Sequence, residues 1–122
     1  MIRLSKSVID QDDKDAVLKI LDNEYLGMGP EVANFENNIK SFLQTDKNII
    51  CVSSGTAAIH IALQSLDIKE GDEVLVPTIT YVATYQAISA TGATPISCDI
   101  LPNNLFIDIA DAEKKITPKT KF

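Results

Sequence analysis

The sequence has little of what metal-binding, secreted or nucleic-acid-binding proteins depend on. It holds no tryptophan, one histidine and two cysteines in 122 residues. A single histidine, with no Cys/His cluster at ligand spacing, offers no metal site. The two cysteines, Cys51 and Cys98, fall in apolar, strand-like segments. They read as a reduced pair in a cytosolic protein rather than as a disulfide framework. Positive charge is in deficit: 11 Lys and Arg against 17 Asp and Glu give a net charge of −6. No basic stripe exists to follow a phosphate backbone, which excludes a nucleic-acid partner. Lys114, Lys115, Lys119 and Lys121 form a small cluster that reads as a solvated helix face and loop. The aliphatic runs are too short to cross a membrane. The start, Met1 to Lys6, has no apolar stretch of the kind a signal peptide requires. The expected setting is therefore the cytoplasm, without a membrane partner.

What is present is ordinary globular material, 45% hydrophobic and 23% charged, without internal repeats or low-complexity tracts. Residues 12–23 have helical spacing, with Ala16, Val17, Ile20 and Leu21 on one face. Gly27-Met28-Gly29-Pro30 interrupts that pattern, and Pro30 suits the first turn of a second helix. Val32, Phe35, Ile39, Phe42 and Leu43 follow at helical spacing. The period then changes. Residues 48–52 form a short apolar run, expected to be a buried strand. Ser53-Ser54-Gly55-Thr56 turns the chain into a helix reaching about Leu66. A second strand is expected over residues 73–76, ending at Pro77. Thr80 or Tyr81 opens a helix that stops near Gly92. A third strand is expected over residues 94–99, and Asp108 caps a last helix over about residues 109–116.

Strand and helix alternate after two initial helices, which argues an α/β protein with a mainly parallel sheet and flanking helices. Such sheets bind ligands beyond the carboxyl ends of their strands. The chemistry is therefore sought after Val52 and after Val76. At Ser54-Gly55-Thr56-Ala57 a strand gives way to a helix, whose first N–H groups have no internal partners and whose dipole favours an anion. Gly55 permits close approach of a ligand, and Thr56 adds a hydroxyl donor. The segment can cradle a phosphate; the simpler reading makes Ser54 a helix cap and Gly55 a turn residue. It lacks the Gly-Lys-Ser/Thr ending of a P-loop and the G-x-G-x-x-G of a dinucleotide fold. Tyr81, after the next strand, could lay its ring on a flat cofactor held by the first segment; core packing is the common alternative. His60 reads as a packing or hydrogen-bonding residue, Asp99 as a carboxylate anchoring a loop, and Asp108 as a cap.

Together these segments resemble a known family. Ser54-Gly55-Thr56-Ala57-Ala58-Ile59-His60-Ile61-Ala62-Leu63 resembles the S-G-T-x-A-L-H-x-A-L segment of the DegT/DnrJ/StrS-type nucleotide-sugar aminotransferases. Gly71-Asp72-Glu73-Val74, Val76-Pro77 and Thr80-Tyr81-Val82-Ala83-Thr84 resemble that family's next block. Gly92-Ala93-Thr94-Pro95 leading to Asp99, and Gly29-Pro30 followed by Phe35-Glu36, complete the match in the family's order. The resemblance implies the N-terminal portion of a fold-type-I, pyridoxal 5'-phosphate (PLP) transferase large domain. Residues 1–30 would be an N-terminal arm and first helix, and residues 31–122 the start of the cofactor-binding domain. It implies that Gly55, Thr56 and Ala57 hold the cofactor phosphate and that Tyr81 stacks on its pyridine ring. It also implies a homodimer that transfers an amino group, usually from glutamate, to a keto group of a nucleotide-linked sugar, in amino-sugar or cell-surface polysaccharide biosynthesis.

No lysine of this sequence stands in the family's Schiff-base motif, and Lys69 reads as a surface residue. The aspartate that pairs with the pyridine nitrogen is also absent. The chain is therefore expected to be a fragment with no catalytic residue of its own and no transaminase activity. Two other readings remain: a PLP-dependent sugar dehydratase of the same family, with histidine in place of the lysine, and a non-catalytic fragment with weak phosphate binding.

Overall fold

A computed structural model of the chain describes residues 5–122. The reading of the first residues as free of a signal-like run falls partly on residues 1–4, outside the described ones. The chain divides into two compact units, Met1–Cys51 and Val52–Phe122.

The first unit holds α1 (Gln11–Asp22) and α2 (Pro30–Phe42). Local side-chain chemistry starts both. At α1 the Asp13 N–H donates to Asp10 Oδ1 at 3.1 Å, and the Asp10 N–H donates to Asp13 Oδ2 at 3.0 Å. Two of the orphan donors at the helix start are thereby satisfied reciprocally. At α2 Gly29 is the cap and Pro30 the first helical residue, where a missing N–H costs nothing. Gly29 also makes room for a neighbour, because a Cβ there would lie 2.5 Å from the Tyr25 ring. The apolar faces expected from the sequence exist but are not covered: neither helix has a buried residue, and Phe35 and Phe42 are exposed.

One expected element is corrected. Residues 48–52 carry an apolar run but form no strand, and Ile50 is 75% exposed. An apolar run becomes a strand only where another edge accepts its backbone groups. Here the backbone of these residues makes one hydrogen bond among the described residues, from the Cys51 N–H to Glu36 Oε1 at 2.7 Å.

The second unit contains α3 (Gly55–Ser65), β1 (Glu73–Pro77), α4 (Val82–Ala90), β2 (Thr94–Cys98) and α5 (Ile109–Lys114). β1 and β2 pair in parallel, Glu73 opposite Thr94 through Pro77 opposite Cys98. Val74 and Val76 alternate inward and join Leu63, Ile68, Ile88 and Ala93 in the core, with Tyr85 packed against it. Cys98 is fully buried and unpaired, in keeping with the reduced state expected for it. Gly92 ends the α4 crossover with φ +87°, a backbone conformation in which a side chain is strained.

The chain's last residues already join the sheet. The Glu73 N–H donates to the Lys119 carbonyl at 2.9 Å, the Lys121 N–H to the Glu73 carbonyl at 3.0 Å, and the Leu75 N–H to the Phe122 carbonyl at 2.8 Å. Thr120 forms a parallel bridge with Glu73. These bonds use the edge of β1 opposite β2.

Candidate phosphate cradle at the start of α3

The second unit's connections fix which end of the sheet its helices face. Four residues separate the end of β1 at Pro77 from α4, and three separate α4 from the start of β2. Helix α4 therefore starts at the carboxyl edge and returns to the amino edge. Helix α3 leads through residues 66–72 to the amino end of β1, and it packs along α4. At about 1.5 Å per residue it reaches back toward the carboxyl edge. The starts of α3 and α4 are thus brought to the end of the sheet where such folds place ligands.

Ser54 caps α3 in extended conformation, with φ −164° and ψ 162°, and its Oγ accepts the Ala57 N–H at 3.1 Å. Its carbonyl accepts the Ala58 N–H at 3.0 Å. The Gly55 and Thr56 N–H groups donate to nothing among the described residues. A Cβ built on Gly55 meets no atom within 4 Å, so the space above these donors is open. Of the three residues singled out here from the sequence, two present free donors and Ala57 spends its own on the cap.

The charge pattern separates this terminus from most others in the chain. The first turns of α1, α2 and α5 each carry an acidic residue, whereas those of α3 and α4 carry none. A carboxylate in the first turn satisfies the positive end of the helix dipole internally. Helices α3 and α4 leave that end without a carboxylate of their own.

Tyr81 is the N-cap of α4 and makes no capping bond. Its side chain is largely free, the residue being 79% exposed. Next to it Thr80 and Thr84 share a hydrogen bond of 2.9 Å between their hydroxyls. His60 lies one turn past Thr56, and its Nε2 is buried without a hydrogen-bond partner among the described residues. Asp99 follows β2 and ties the loop through its backbone rather than, as expected, through its carboxylate: its carbonyl accepts the Asp108 N–H at 2.8 Å and its N–H donates to Asp111 Oδ2 at 2.7 Å, while its Oδ1 accepts the adjacent Ile100 N–H at 2.9 Å. Asp108 caps α5 through the Ala110 N–H at 2.9 Å. Lys69 is a surface lysine paired with Asp67 at 2.6 Å.

Sequence reasoning missed two connections. One is the Glu36–Cys51 bond, whose partners lie 15 residues apart with no period linking them. The other is the latch of Lys115, which donates to the Ser97 carbonyl at 2.8 Å and to Asp111 Oδ2 at 2.6 Å. The i, i+4 spacing of Asp111 and Lys115 was the available signal.

Residues 7–122 match the model of the DegT/DnrJ/EryC1/StrS aminotransferase family. The chain belongs to that family. It is 34% identical, over 99% of its length, to a dTDP-4-dehydro-2,3,6-trideoxy-D-glucose 4-aminotransferase of Saccharopolyspora spinosa, of which it covers 32%. Among solved structures it is similar to NtdA from Bacillus subtilis with bound cofactor PMP, at 36% identity and a TM-score of 0.85, over 93% of this chain and 27% of that one. It is also similar to an E. coli GDP-4-keto-6-deoxy-D-mannose-3-dehydratase with bound hydrated PLP, at 29% identity and a TM-score of 0.85, over 97% of this chain and 32% of that one. The chain thus spans about a third of the length of these relatives. Its fold is the corresponding portion of a PLP-dependent aminotransferase, a small α/β unit with a parallel sheet and helices.

Proposed function

We propose that this chain is the N-terminal part of a PLP-dependent aminotransferase that moves an amino group, from glutamate, to a keto group of a nucleotide-linked sugar. The enzyme would act in the cytoplasm as a homodimer, in amino-sugar or cell-surface polysaccharide biosynthesis. Residues 1–30 would serve as arm and first helix, and residues 31–122 as the start of the cofactor-binding domain.

The residues present fit the cofactor. A phosphate needs several convergent donors and no nearby carboxylate, and Gly55, Thr56 and the acid-free start of α3 meet that need. The two free N–H groups and the Thr56 hydroxyl would hold its oxygens, with Ala57 held in place by the Ser54 cap. Tyr81 would cover the pyridine face, excluding water and fixing the ring's plane. When bound, PLP supplies the electron sink that lets the substrate's C–N and C–H bonds change partners. This chain's own residues bind and orient; none of them is proposed as catalytic.

The observation that carries the reading is the pair of unbonded N–H groups at Gly55 and Thr56, beside a cap that already holds Ala57. Gly55→Pro tests it cleanly. Position 55 is the first helical residue, where proline is tolerated, and Ser54 already has the extended conformation that a following proline demands. The ring has open space to enter. The substitution therefore removes one N–H donor with little cost to the fold. A hydrogen bond to a charged group contributes about 1.5–3 kcal/mol. PLP affinity of the full-length enzyme should fall roughly ten- to hundredfold with the melting temperature unchanged. Unaltered PLP affinity would refute the cradle.

Likeness to the E. coli dehydratase favours a second reading, a PLP-dependent sugar dehydratase using the same cradle. Product analysis with a keto-sugar nucleotide, with and without glutamate, separates the two. A non-catalytic chain with weak phosphate binding would show neither product.

A further inference from the structure

Helix α4 begins on a residue that a helix start disfavours. Tyr81 is its N-cap, the position where Ser, Thr, Asp or Asn bonds the first free N–H groups, and its side chain makes no such bond. The ring is exposed instead of joining the core. The chain leading to it is sparsely held. The N–H groups of Ile79, Thr80 and Tyr81 donate to nothing among the described residues. Two hydrogen bonds close the start of the helix. The Thr84 N–H donates to the Tyr81 carbonyl at 3.0 Å, and the Thr80 and Thr84 hydroxyls share a bond of 2.9 Å. The hydroxyl pair brackets Tyr81, with one partner a residue before it and the other in the first turn of α4. An ordinary cap joins the N-cap residue to the third helical residue. Here the link starts one residue earlier, which leaves the N-cap position free to be aromatic.

We infer that Thr80 and Thr84 are positioning residues for Tyr81: their hydroxyl bond fixes the backbone on both sides of the ring and so holds the ring where it covers the cofactor. The inference rests on the reading of Tyr81 as the cover of the pyridine ring. All three residues lie in the second unit, so the lock is local. Packing of α4 does not replace it. The residues that α4 buries, Ala83, Ala87 and Ile88, all follow Tyr81. Before Tyr81 the backbone N–H groups run unbonded back to Thr78, whose N–H donates to the Cys98 carbonyl at 2.9 Å. A ring carried on a loosely held backbone must be ordered when the cofactor arrives, and that cost is subtracted from affinity.

A double-substitution cycle in the full-length PLP-loaded enzyme tests the lock. Valine keeps the shape of threonine and a similar helix propensity, and removes only the hydroxyl. The pair is exposed, so a hydroxyl left alone turns to water at little cost to the fold. Thr80→Val and Thr84→Val should each weaken PLP affinity about threefold, the scale of one neutral hydrogen bond. The double variant should be no weaker than either, because both remove the same bond. The induced circular dichroism of the bound cofactor, per mole bound, should fall in all three, since it reports how the two rings face each other. Thr84→Ser keeps the hydroxyl and should match wild type in affinity and dichroism. The inference fails if the valine variants bind PLP as wild type does, if their losses add in the double variant, or if Thr84→Ser is as weak as Thr84→Val. It fails too if the valine variants do not fold, which would make the bond a matter of fold stability. Tyr81→Ala in the same assay keeps the two readings apart. If Tyr81→Ala weakens PLP binding and the valine variants do not, only the positioning role is lost; if Tyr81→Ala binds PLP as wild type does, the cover is lost and the positioning role with it.

Discussion

At the scale of single residues, the side chains proposed to meet the cofactor differ in how much else they do. Tyr81 is 79% exposed and its ring joins no core, so stability does not depend on it. Its proposed role is burial and offset stacking against a flat ring, worth about 0.5–1.5 kcal/mol beyond area. Tyr81→Ala should therefore weaken PLP retention by roughly three- to tenfold or more, with no change in melting temperature. Tyr81→Phe should retain most of it, because the hydroxyl makes no bond among the described residues. Dialysis of the loaded enzyme followed by cofactor absorbance measures both. A loss in Tyr81→Phe equal to that in Tyr81→Ala would move the role from the ring to the hydroxyl. The helix start of the proposed cradle was legible in the sequence because its signal is local: a cap, a glycine and a hydroxyl within four positions. Glu36 was not, because its partner lies 15 residues away and no helical or strand period joins a helix face to an unpaired segment.

At the scale of elements, helices were legible and strands only in part, for a physical reason. A helix closes its own hydrogen bonds, so Pro30, Ser54 and Asp108 mark its beginning from within the chain. A strand is defined by a neighbour. The apolar run at residues 48–52 lacks one here and forms no strand, whereas polar Lys119 and Lys121 pair because the β1 edge is free. The opposite edge is guarded differently. Lys115 donates to the Ser97 carbonyl of β2 and pairs with Asp111, placing a charge where another strand would have to dock. The latch also sets a pH dependence. The Asp99 N–H and then Lys115 hold the Asp111 carboxyl below its ordinary 3.8. Asp111 in turn holds the Lys115 ammonium above its ordinary 10.5. A carboxylate with a lowered folded pKa contributes stability above its unfolded value and loses it as pH falls through the folded one. An ammonium with a raised pKa contributes below its unfolded value and loses it as pH rises through the folded one. Asp111→Asn should thus be less stable than wild type at neutral pH, and the gap should close below about pH 3.8. Melting temperatures of both proteins from pH 2 to pH 7 check the sign; a gap that widens in acid would exclude the latch as its cause.

At the scale of the whole molecule, the chain has the composition of a globular domain and covers too little of its apolar surface. Neither α1 nor α2 buries a residue, and Phe42, Ile50, Leu26, Phe106 and Met28 are each more than two-thirds exposed. The row of backbone groups at residues 119–122 ends the sheet on one side. Exposed apolar patches and open strand edges both promote association. The proposed chemistry needs an amine on the protein to engage PLP; Lys69 is paired with Asp67, and Lys115 is held by Asp111 and the Ser97 carbonyl, so neither of these two is free to supply it. The proposed cradle, by contrast, has two free N–H donors, at Gly55 and Thr56, among the described residues. The 122-residue chain by itself should therefore bind phosphate weakly, associate in solution, and fail to transaminate. Sedimentation should show species heavier than the 13.3 kDa monomer, with the heavy fraction growing with concentration. Incubation with PLP and borohydride should label its lysines at random, in proportion to their exposure. Stoichiometric trapping on one lysine, located by peptide mass, together with amino transfer from glutamate, would show that these residues hold a complete active site and would overturn the division of labour between a binding segment and a catalytic one.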